Sequence, residues 1–267
     1  PICGQDEVYV QAILSSAIRV ASLRNSVPKA KLYVGSPPTP SLILASPSSY
    51  AGLKKSLRRA ESDKQNQMLK LVRKITSQST YALLLEQDEV ASIKENLGCT
   101  QVLQARALEL RAYTDGLAIR AASYISPVLR VPNVSDDIRF AMRKLIDSIR
   151  TSNENKTKKL PLLAKQYFSG LADSIPEKLL RIIRADQTAI TIVSDTPYEL
   201  ADVDGIPLMF RQVVNRINAT PGNLAFQNII PHEHIDVRCG DIGEVTVIRS
   251  FADTDPLKYH LEKSVSA

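Results

Sequence analysis

The run Thr188-Ala-Ile-Thr-Ile-Val-Ser194 constrains this chain more than any other stretch. It is uncharged and rich in β-branched residues. A strand with one wet face alternates apolar and polar residues, whereas a near-continuous apolar run is read as a strand covered on both faces. That is the habit of a sheet sandwiched between helices. Glu244-Val-Thr-Val-Ile-Arg-Ser-Phe251 is a second such run, and Leu208–Phe210 and Val213–Ile217 are shorter β-prone pieces between the two. Upstream, Lys31–Val34 and Ser41–Ala45 are β-prone, joined across Ser36-Pro-Pro-Thr-Pro.

The rest has helical spacing. Val10, Ile13, Leu14, Ala17, Ile18 and Ala21 recur at three and four residues, which predicts a helix over Asp6–Leu23 with Asp6 as its cap. Ser49–Ser77 is predicted as an amphipathic helix with Leu53, Leu57, Ala60, Met68, Leu71 and Ile75 on one face. Two helices are expected over Asp88–Ile125, broken at Gly98, with Gly116 a weak spot in the second. Pro127 and Pro132 end that stretch and mark a boundary. Ser135–Arg150 is expected to turn Ile138, Ala141, Leu145 and Ile149 to one side, with Ser135 as cap. Leu160–Asp186 carries Leu160, Leu163, Tyr167, Leu171 and Ile175 in register, restarting at Pro176. The expectation is an α/β chain: a mainly helical region over 1–134, then an α/β sandwich over 135–267.

No run of about 18 apolar residues is present, so no membrane-spanning helix is expected. Three dispersed cysteines, Cys3, Cys99 and Cys239, give no disulfide framework and favour a reducing, cytoplasmic setting. The net charge is +6, and Ser48–Ser77 alone holds eight basic residues against two acidic ones. Lys54, Lys55, Arg58, Arg59, Arg73 and Lys74 are therefore candidate contacts for an acidic protein partner or a nucleic acid. The helix offers Tyr50 as its one aromatic for base stacking, which makes nucleic acid the weaker option.

His232, His234 and Cys239 in Pro-His-Glu-His-Ile-Asp-Val-Arg-Cys are residue types used by zinc sites and by Cys–His nucleophiles. An extended chain would put the His234 and Cys239 Cα atoms about 16 Å apart. The segment reads as a polar loop leading into a short strand, and no cofactor or metal set is assigned. Ser194-Asp-Thr-Pro-Tyr-Glu-Leu200 places Asp195 at a strand's C-terminal edge, where open α/β sheets build their sites. Asp195 is expected to tie that loop to backbone N–H groups, and Asp204-Gly205 is a turn signal.

Several residues of this region, in order, resemble the CHAT family of caspase-like cysteine proteases. They are the helix Leu160–Tyr167, Ile175-Pro-Glu-Lys-Leu-Leu, the strand Ala189–Val193 ending in Ser194-Asp195-Thr-Pro197, Gly205-Ile-Pro207-Leu208, the piece through Arg216, a Pro-Gly turn, and Val245–Ile248 with Arg249-Ser-Phe. The resemblance covers residues 135–267. It implies the first half of a caspase-like α/β/α sandwich, and a Cys–His dyad carried downstream of Val245–Phe251. His260 is the one later histidine, no glycine follows it, and no cysteine follows Cys239. Tryptophan is absent, and Ala201 stands where a bulkier residue is usual. The resemblance thus implies a dyad outside this chain, with no catalytic residue here. It also implies a cysteine endopeptidase of bacterial signalling or antiviral defence, whose partners are a protein substrate or regulatory protein and the missing catalytic half. The alternative is a non-catalytic module that docks its partner through the basic helix 49–77.

Overall fold

The computed structural model describes residues 4–26, 42–48, 63–78, 80–133, 136–150, 159–185, 189–220, 224 and 228. In chain order these form α1 (Gly4–Ser26), β1 (Leu42–Ala45), α2 (Asp63–Thr76), α3 (Gln87–Glu95), α4 (Leu97–Tyr124), β2 (Val128–Arg130) and α5 (Asp136–Arg150). There follow α6 (Leu160–Asp173), α7 (Glu177–Ala185), β3 (Ile190–Val193), β4 (Asp202–Val203), β5 (Ile206–Pro207), α8 (Leu208–Arg211) and β6 (Val214–Ile217). Four strands form one sheet in the order β2-β1-β3-β6, every neighbouring pair parallel. Strands β1 and β2 come from before residue 134, and β3 and β6 from after it.

Every residue of β1 and β3 is buried. Side chains alternate across the sheet. Leu42, Leu44, Ile190 and Ile192 join a cluster with Val10 of α1, Tyr167 and Leu171 of α6, and Leu179 and Ile183 of α7. Ile43, Ala45 and Val193 join another with Tyr113 and Leu117 of α4, Ile217 and Leu224. Helices thus cover both faces, which explains why the β3 run shows no polar alternation. Each fully buried aliphatic side chain here contributes about 1.5–3 kcal/mol. Leu71 and Ile75 of α2 form a third cluster with Cys99 of α4.

Several expectations shift. Asp6 lies inside the first turn of α1, and its carboxylate accepts from the Tyr81 N–H at 3.1 Å instead of capping the helix. The break between α3 and α4 falls at Asn96, not Gly98, because the Asn96 side chain accepts from the Gly98 and Cys99 N–H groups and so caps α4. Helix α4 runs through Gly116 without a break. A Cβ there would lie 2.8 Å from a Leu224 methyl, so glycine permits that close approach. Leu208–Arg211 is a helical turn, not a strand; Leu208 is buried while Met209 and Phe210 face out. Ile149 is 63% exposed, beyond the stretch where Ile138, Ala141 and Leu145 pack on the core. Strand β2 was hidden between Pro127 and Pro132. Lys31–Val34, Ser135, Leu53, Leu57, Ala60 and Val245–Phe251 lie outside the described residues.

Truncating a fully buried sheet residue should be costly, and truncating an exposed apolar one should not. Ile192→Ala is expected to lose about 2–5 kcal/mol in urea unfolding. Phe210→Ala, at a site 74% exposed, should stay within about 0.5 kcal/mol of the parent.

Candidate functional site

In a parallel sheet with helices on both faces, ligands gather at the C-terminal strand edge where the strand order reverses. From β1 the chain adds β2 on one side and then β3 on the other, so that point lies between β1 and β3. Ser46 follows β1, and Ser194 and Asp195 follow β3.

Three tyrosines close this edge. The Tyr81 hydroxyl donates to the Arg130 carbonyl at 2.8 Å, and that of Tyr113 to the Val193 carbonyl at 2.9 Å. Tyr198, fully buried, donates to the Pro132 carbonyl at 3.4 Å, and Ser46 Oγ donates to the same oxygen at 3.1 Å. Burial pushes all three phenols upward, Tyr198 to about 12, so they stay neutral donors. Their rings are buried, and their hydroxyls meet carbonyls around the strand ends, two of which also accept from Ser46.

Asp195 does what the sequence led us to expect. Its Oδ1 accepts from the Ala219 N–H at 3.0 Å and so ties the loop after β3 to the loop after β6. Ser194 Oγ accepts from the Thr196 N–H at 2.9 Å. Arg216, exposed on β6, makes a second tie that the sequence did not announce. It donates to the carbonyls of Ser194 and Asp195 at 3.3 and 3.0 Å and to Glu199 Oε1 at 2.8 Å. The β4–β5 hairpin turns on Asp204 and Gly205, both at positive φ (56° and 83°), the geometry that makes Asp-Gly a good two-residue loop. Asp204 then pairs with Arg184 at 3.1 Å and Arg211 at 2.9 Å.

Two hollows adjoin this framework. One, about 450 Å³, lies between α6, α7 and the hairpin. Asp173, Glu177, Asp202 and Asp204 line it, with Arg184 bonded to Glu177 and Asp204. The other, about 20 Å³, lies at the ends of β1 and β2 beside Arg106, Arg130 and Asn133. Sequence pattern gave no sign of it, because α4, β2 and the loop after β1 meet there only in the fold.

Of the six candidate partner-binding residues, Lys54, Lys55, Arg58 and Arg59 lie outside the described residues. Arg73 is exposed near the end of α2. The Lys74 ammonium is 2.5 Å from Glu89 Oε2, so part of its charge is answered within the fold. His232, His234, Cys239 and His260 also lie outside. The one described cysteine, Cys99, is buried beneath α2, and burial pushes its thiol upward, away from the thiolate a nucleophile needs. Among the described residues no group of three or more His, Cys, Asp or Glu could hold a metal ion. No described helix is long and apolar enough to cross a membrane. Comparison with known protein families, with curated proteins and with solved structures finds no match for this chain.

Asp195→Ala leaves the N–H of Ala219, a residue 1% exposed, without its acceptor. The expected loss is about 1–2 kcal/mol, with most of it regained in Asp195→Asn. Denaturant unfolding of both variants checks this. For Glu89 the Lys74 hydrogen bond, then the Glu86 N–H, hold the carboxyl below its ordinary 4.5. A depressed folded value means the contribution is present above the ordinary value and fades as pH falls through the folded one. Glu89→Gln should therefore flatten the Tm profile between about pH 3 and pH 6, with Glu177, similarly lowered by Arg184, still contributing.

Proposed function

We propose that this chain is the opening half of a caspase-like cysteine peptidase of the CHAT type, with its Cys–His dyad supplied from outside residues 1–267. The observation that carries this reading is the all-parallel order β2-β1-β3-β6, with Ser194-Asp195-Thr-Pro197 leaving the central strand at the order-reversal point. On this reading the sheet extends beyond β6. Its histidine and cysteine stand at the C-terminal ends of strands added later. The antiparallel hairpin carrying Gly205-Ile-Pro207, and the Glu199–Arg216 pair, support the same reading, because they brace the loop at the edge where those residues would assemble.

In the whole enzyme the cysteine thiolate would attack the scissile carbonyl to give a thioester, and the histidine would return the proton to the leaving amine. Described residues offer rigidity to that chemistry: tyrosines that exclude water from the sheet edge, and Asp195 and Arg216 that fix the loops beside it. The protein would act in bacterial signalling or defence, with a protein substrate or regulator as partner in the cytoplasm.

Such catalysis needs a thiolate, a base within hydrogen-bond reach and oxyanion donors. Purified residues 1–267 should therefore show no alkylation-sensitive cleavage of a broad peptide library. A longer product of the same reading frame, carrying a downstream His-Gly and a later Cys, should cleave and lose activity when that Cys is replaced by Ala. Alkylation-sensitive cleavage by residues 1–267 alone, or a reading frame with no such pair, would overturn the proposal.

A further inference from the structure

We draw no further inference here: the strongest candidate, the hollow of about 450 Å³ between α6, α7 and the β4–β5 hairpin, is a cluster of carboxylates of which Glu177 and Asp204 are already paired with Arg184, and nothing among the described residues shows what ligand would fill it.

Discussion

The parallel pairing of β1 with β3 is the constraint on which the rest depends. All eight residues of the two strands are buried, so their backbone groups have no water to bond to and their side chains must be covered on both faces. The lateral hydrogen bonds come from the register Leu42↔Ile190 through Ala45↔Val193 and from the outer strands β2 and β6. The two faces then recruit different helices. Larger aliphatic side chains at alternate positions meet α1, α6 and α7, while Ile43, Ala45 and Val193 leave room for the Tyr113 ring of α4.

Burial at the centre creates a problem at the strand ends, where chain leaves the sheet and peptide groups lose their lateral partners. The chain answers it with tyrosines, which are apolar along the ring and polar at the tip. Val193 carbonyl accepts from both the Ser46 N–H and the Tyr113 hydroxyl, and Pro132 carbonyl from both Ser46 and Tyr198. Among the described residues, one hollow lies toward β2 beside Arg106 and Arg130, and another lies by the hairpin, lined by four carboxylates and Arg184.

The loop after β3 is held by charged side chains. Asp195 and Arg216 are charged and reach solvent, yet their hydrogen bonds run to backbone groups of this loop and of the loop after β6. They fix the relative position of two loops at the place where an α/β sheet does its chemistry.

Much of the framework was legible because it rests on local pattern. The β3 run, the strand at Ser41–Ala45, the restart at Pro176, the Asp204-Gly205 turn and the buried faces of α2 and α6 follow from burial periodicity and turn chemistry, which act over a few residues. That Asp195 binds a backbone N–H was readable from its place beside a proline turn, but its partner was not, because Ala219 lies in the loop after β6. The tertiary structure alone decided which strands pair, that three tyrosines far apart in sequence close one edge, that Gly116 exists to admit Leu224, and that Arg106, Arg130 and Asn133 share a hollow. Those facts depend on contacts between residues far apart in sequence, as in the pairing of Leu42 with Ile190 across β1 and β3. Periodicity reports which face of an element is buried. It carries no record of what that face is buried against, because any apolar surface of matching shape satisfies it.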